Sequence, residues 1–229
     1  MGKRQEGRQR IEAAIVGIGR RHLVTEGAAG LSLRAVARDL GMVSSAVYRY
    51  VQSRDDLLTL LVVDAYTELA DAVAAASAGL PWRDRVRAIA HAVRGWAVEQ
   101  PARWALLYGS PVPGYHAPAE RTVGPGTRVV GELFAALADG IAAGEVEQGN
   151  DRVAQPLSSD FDRIRTEFGF SGDDAVVARC FALWATLVGA VSLEVFGQYG
   201  ADTLTDPRQI FDLQVGLLID AVAPPKSAS

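Results

Sequence analysis

The chain has 229 residues and a formal net charge of −4, with 49% hydrophobic and 22% charged residues. That composition supports a substantial core in one large domain, or a small domain joined to a larger one, and argues against global disorder. No apolar run approaches the roughly 18 to 20 residues of a membrane span, nothing apolar follows the charged start as a signal peptide requires, and a single cysteine, Cys180, excludes a disulfide framework or a multi-cysteine zinc site.

Helices are expected almost throughout, because sustained two-residue alternation is hard to find. A first helix over 9–26 carries Ile11, Ala14, Ile15, Ile18, His22 and Leu23 at spacings of three and four, and Gly27 stops it. Ser32 is placed to cap a short helix over 33–40. Gly41 interrupts, and a second short helix covers 44–50. Ser53, followed by Asp55 and Asp56, opens a long helix reaching 78. Pro81-Trp82 begins a helix to 100, and Pro101 suits the first position of a short one ending near Tyr108. The Pro- and Gly-rich stretch 109–118 cannot be regular. A helix follows over 126–147, and the polar stretch 148–172 is ambiguous, with room for a helical turn at 160–168. The last two helices, 173–199 and 206–222, are the most apolar in the chain and carry more hydrophobic surface than one buried stripe requires. The tail 224–229 reads as disordered.

Charge is unevenly spread. Residues 1–56 hold ten Lys and Arg against six Asp and Glu, a net +4, while the remainder holds 13 against 21, a net −8. A basic head on an acidic body suits a polyanionic partner for the head. Within the head, two short helices joined by a Gly-containing turn make a helix-turn-helix candidate. Ala37 supplies the small residue where the helices cross, Gly41 the left-handed residue of the turn, and Val36, Leu40, Met42, Val47 and Tyr50 the anchors to a core. This leaves Ser44, Ser45, Tyr48 and Arg49 facing outward on the second helix, with Ser32, Arg34 and Arg54 on the same side. Small hydroxyls at a helix start reach base edges, and phenols and guanidinium groups reach phosphates.

The run from Leu31 to Leu58, above all Tyr48-Arg49-Tyr50-Val51-Gln52-Ser53-Arg54-Asp55-Asp56-Leu57-Leu58, resembles the DNA-binding signature of the TetR family of transcriptional regulators. Two positions depart from it: Val43 stands where the family often has a capping Ser or Thr, which passes the cap to Ser44, and Val51 replaces a Phe. The resemblance implies an all-α fold with a helix-turn-helix DNA-binding domain at 1–56 and a helical regulatory and dimerisation domain at 57–223. It implies a homodimer through the last two long helices, a palindromic operator in double-stranded DNA, an unknown small-molecule effector and a cytoplasmic setting. Repression is the family's usual mode and activation the other. In such a complex Ser32, Tyr48, Tyr50 and Arg54 would hold phosphates, and Arg34, Ser44, Ser45 and Arg49 would read bases. The stretches from Trp104 to Tyr115 and Trp184 to Gly189 resemble a subgroup with a Trp-x-x-x-His-Gly motif in its C-terminal domain; Val188 occupies the His position here.

Effector contacts are sought among large side chains with apolar bodies: Trp96, Trp104, Tyr108, Tyr115, His116, Phe134, Phe181 and Trp184. Tyr108, Tyr115 and His116 stand out because they flank the irregular Pro/Gly segment. No cofactor is expected. Three scattered histidines do not suggest a metal site, no Ser-His-Asp set has a spacing logic, and Gly17 and Gly19 lie inside a helix rather than in a phosphate-cradling loop. An enzyme is therefore not expected, and a helical adaptor using the basic head for an acidic partner is the alternative.

Overall fold

The computed structural model describes residues 3–149 and 152–223; the tail expected at 224–229 lies outside the described residues. Among these there are ten helices and no strand, the expected all-α fold. They are α1 (Lys3–Gly30), α2 (Leu33–Asp39), α3 (Ser44–Val47), α4 (Arg54–Ser77), α5 (Trp82–Glu99), α6 (Pro101–Tyr108), α7 (Ala119–Ala142), α8 (Leu157–Phe168), α9 (Asp174–Val195) and α10 (Pro207–Val222). The chain divides into two compact units, Met1–Glu68 with Gln100–Gly126, and Leu69–Glu99 with Thr127–Ser229.

The first unit holds the head. α1 starts six residues before the expected boundary and breaks at Gly27, whose φ of 66° and ψ of 175° leave the helical region. Ile15, Ile18 and Leu23 of α1 meet Leu33, Val36 and Ala37 of α2, Val47 of α3, and Leu57, Leu58 and Leu61 of α4 in one apolar core. Ser53 caps α4, its Oγ accepting from the Asp56 amide at 3.0 Å. A polar anchor lies beside this core. Arg103 of α6, 3% exposed, donates to Glu68 Oε1 at 2.5 Å and Asp64 Oδ2 at 3.1 Å, while Arg20 of α1 forks onto both Asp64 oxygens at 2.7 and 2.6 Å. Two carboxylates of α4 thus tie α1 to α6.

In the second unit, α5 buries Trp82, Val86, Ile89, Ala90, Val93, Trp96 and Ala97, one stripe at spacings of three and four. It packs against α9 and α10. α9 buries Val176, Cys180, Leu183, Leu187 and Val191, and α10 buries Phe211, Val215, Ile219 and Val222. Both also carry a second apolar face in the open: Phe181, Leu193 and Phe196 on α9, and Leu213 and Leu217 on α10 at 58% and 62% exposure. The surplus hydrophobicity seen in the sequence is this second face. α9 is long and apolar enough, by length and composition, to cross a membrane, which corrects the expectation that no run approaches that length; core helices of globular proteins meet the same criterion.

Other expected limits shift too: α9 ends at Val195 rather than 199, and α7 and α8 differ as follows. α7 covers Ala119–Ala142 rather than 126–147. Pro118 starts it early, its carbonyl accepting from Arg121 N, Thr122 N and Thr122 Oγ1. Gly144, at φ 67°, ends it early, and the Glu145 and Val146 amides fold back to the Gly140 carbonyl. The single turn expected at 160–168 is the twelve-residue α8, closed by Gly169 in the left-handed conformation. It is held to α9 through Asp174, a carboxylate 2% exposed that accepts from Arg165 at 2.8 Å, the Val153 amide at 2.9 Å and Ser158 Oγ at 3.2 Å.

Candidate nucleic-acid interface

The corner between α2 and α3 is built by backbone chemistry. Leu40 N donates to Val36 O, Gly41 N to Arg38 O and Met42 N to Ala37 O, each at 3.0 Å. The chain can reverse this tightly because Gly41 sits at φ 66°. A Cβ there would meet nothing within 4 Å, so the position demands glycine for its backbone angle and not for space. α3 then starts at Ser44, with Ala46 N donating to Val43 O at 2.9 Å. Val36, Ala37 and Val47 are buried on the inner side of the corner. α3 ends at Val47, three residues short of the expected 50, and residues 48–50 form a turn.

The residues expected to meet DNA are distributed as follows. Arg34, Ser45, Tyr48 and Arg49 are exposed, and Ser32, Ser44 and Tyr50 are half-buried. Among the described residues neither Arg34 nor Arg49 has an acidic partner, so both guanidinium groups are unneutralised. Ser32 does occupy the N-cap position of α2, at φ −138°, but its side chain makes no capping hydrogen bond, which corrects the expected cap and leaves the hydroxyl to other partners. Nor does the cap of α3 pass to Ser44: Val43 is the N-cap residue and no side chain closes that end. Tyr50 packs its ring against the core and also borders an open groove of about 900 Å³ with Gln5, Gly7, Arg8, Ile11 and Arg49.

Arg54, expected to hold a phosphate, also makes contacts within the protein that its sequence setting did not suggest. Its Nη2 donates to the Ala28 and Ala29 carbonyls at 2.9 and 3.1 Å, and Nη1 lies 3.7 Å from Asp55. The guanidinium is held by the protein, closing the segment after the Gly27 break onto the start of α4. The sequence reading also missed a second clamp. His22 Nε2 lies 2.7 Å from Asp39 Oδ2, joining α1 to the end of α2, and this hydrogen bond holds the Asp39 carboxyl below its ordinary range.

The expected effector contacts fall in both units. In the first, Trp104 is fully buried, with its ring centroid 4.4 Å from that of Tyr108. Tyr108 meets Tyr66 edge-on at 6.3 Å, and Tyr115 Oη lies 3.1 Å from Thr59 Oγ1. Burial pushes the Tyr108 and Tyr66 phenols up, and the nearby phenols add to it. Thr59 and Tyr66 were not anticipated; they stand seven residues apart on α4, which puts them on one helix face. His116 is exposed. In the second unit Phe134 packs against Phe168 and Phe170, each at 4.9 Å between centroids, and Trp96 is buried. Trp184 is half-buried. Phe181 is 44% exposed and stacks on Phe161, which places it on the open face of α9.

The chain as a whole is similar to known proteins. The family described as tetracyclin repressor-like, C-terminal domain, matches residues 86–218. The HTH-type transcriptional regulator Rv1816 of Mycobacterium tuberculosis is 65% identical over 226 residues, covering 97% of both chains. The crystal structure of SCO4313 is 30% identical with a TM-score of 0.77, covering 95% of this chain and 98% of that one. FadR from Bacillus subtilis in complex with stearoyl-CoA has a TM-score of 0.65 at 11% identity, a likeness of fold, over 92% of this chain and 98% of its own.

Proposed function

The chain belongs to the TetR family of transcriptional regulators, which are DNA-binding proteins and not enzymes, and from that premise we propose that it is a ligand-responsive repressor that binds a palindromic operator as a homodimer in the cytoplasm. Residues 1–56 form its DNA-binding head and 57–223 its regulatory and dimerisation domain. The observation that carries the reading is the corner at Gly41. It buries Val36, Ala37 and Val47 and leaves Arg34, Ser45, Tyr48 and Arg49 outward, with both guanidinium groups unneutralised. Two such heads would enter successive major grooves. Arg34, Ser44, Ser45 and Arg49 then read bases, Ser32, Tyr48 and Tyr50 hold phosphates, and Arg54 positions the head from behind.

The second apolar face of α9 and α10 supports dimerisation through those helices. A lone protomer would leave Phe181, Leu193, Phe196, Leu213 and Leu217 in water, and a twin covers the same patch with the same residues. For the effector, the buried phenols of Tyr66 and Tyr108 beside Trp104, and the Tyr115–Thr59 pair, offer apolar walls with polar tips. Trp96, Phe134 and Trp184 complete the candidates in the second unit, and stearoyl-CoA bound to FadR supports a small-molecule ligand for the shared fold.

The test is a gel shift with the full chain and duplex DNA from upstream of its own gene, with light scattering on the complex. One retarded species with two protomers per site, competed by the same DNA and not by a scrambled duplex, is expected. Equal retention of scrambled DNA would defeat the reading.

A further inference from the structure

Val43 has no place in the set of side chains assigned above, and its setting is unusual. It is 71% exposed, which places it with Val24 as the most exposed of the large hydrophobics among the described residues. It occupies the N-cap of α3, where Ser, Thr, Asp or Asn would satisfy a free backbone amide, so the helix forgoes a stabilising cap to carry an apolar side chain there. The backbone that carries it is fixed by hydrogen bonds on both sides. Met42, just before it, is pinned by its amide to Ala37 O at 3.0 Å, and the Val43 carbonyl accepts from Ala46 N at 2.9 Å. A β-branched side chain on a fixed backbone has little rotamer freedom to lose on contact. Val43 is directly followed by Ser44 and the exposed Ser45 at the start of the reading helix, the end that contacts base edges in this class of corner.

The major groove offers hydrogen-bonding groups at every base pair but only one apolar group, the C5-methyl of thymine. A hydroxyl or guanidinium cannot read that methyl by burial, whereas an isopropyl group can. We propose that Val43 is a specificity-determining residue that packs on a thymine methyl once in each half-site. The inference rests on the DNA-binding reading above and assigns it a base. Removing the methyl or the isopropyl group loses the same contact, so the two losses do not add.

The experiment begins with selection of high-affinity duplexes from a random DNA library by the full-length chain, followed by replacement of each thymine by deoxyuracil, symmetrically in both half-sites. For the wild type, one thymine position should cost about three- to tenfold in affinity when its methyl is removed. For Val43→Ala the same replacement should cost nothing further. Val43→Ser, which can cap α3, should keep or raise the thermal midpoint while losing the same discrimination, which separates a lost contact from a damaged fold. A deoxyuracil penalty of equal size in wild type and both variants would overturn the proposal, as would the absence of any methyl-sensitive position. If the wild type enriches no sequence at all, it is the DNA-binding reading that fails.

Discussion

At Arg54 one guanidinium does what a loop anchor would otherwise do. Its two hydrogen bonds to the Ala28 and Ala29 carbonyls join the end of α1 to the first turn of α4. Hydrogen bonds from a charged donor contribute more than neutral ones, so Arg54→Ala should cost about 1–3 kcal/mol in urea unfolding. It should also weaken binding to specific and scrambled DNA together, because the head loosens as a whole; a loss confined to the specific duplex would show that Arg54 reads sequence. Asp174 makes a different prediction. Burial alone would raise its pKa, but the hydrogen bonds from Arg165, Val153 N and Ser158 outweigh burial and hold the carboxyl below its ordinary value of 3.8. A carboxyl depressed in the folded state contributes stability that is complete above the unfolded value and fades as pH falls through the folded one. The junction of α8 and α9 should therefore loosen below about pH 4, seen as a fall in the protection of the Val153 amide relative to its intrinsic exchange rate. In Asp174→Asn that protection should already be low at neutral pH and change little on acidification. A sequence reader could have found Thr59 and Tyr66 from their seven-residue spacing on α4, but nothing local marks Asp174, whose donors lie 9 to 21 residues away.

Among the helices, those with a clean apolar stripe and a plain stop signal were legible, and those with polar faces or unusual ends were not. α2, α5, α6 and the start of α3 follow from Gly41, Pro101 and clean three-and-four spacing, while the end of α3 does not. The limits of α7 depended on a proline carbonyl that accepts three hydrogen bonds and on a glycine two residues past the last helical position. α8 was hidden by its polar composition, although Phe161, Ile164 and Phe168 recur at helical spacing. The ties between α1, α4 and α6 were invisible because Arg20 and Arg103 lie dozens of residues from Asp64 and Glu68. These ties carry a prediction of their own. Arg103→Ala removes a buried cation shared by Asp64 and Glu68 and should cost about 3 kcal/mol. Arg103→Met keeps the buried stem and should cost clearly less. Equal losses from the two variants would mean that charge pairing, not packing of the stem, dominates at this position. Both are read from denaturant midpoints.

For the molecule as a whole, the proposed dimer makes the open faces of α9 and α10 the place where pairing of the two heads is tested. Leu217→Lys sets an ammonium in the middle of the most exposed apolar patch of α10 and should yield monomers by light scattering while the helical circular dichroism stays unchanged. Operator affinity should then drop by at least tenfold, since each head binds alone. A Leu217→Lys protein that still elutes as a dimer would move the interface elsewhere. The solitary thiol bears on how such head-to-head geometry can be followed. Cys180 is buried in the core of the second unit, and burial pushes its pKa up to about 12, so almost none of it is thiolate at neutral pH. The native chain is accordingly silent toward maleimides and nitroxide reagents. A cysteine introduced at Ser45 would take a spin label alone, and the separation of two labels across the proposed dimer could be measured by pulsed resonance without first removing the native cysteine.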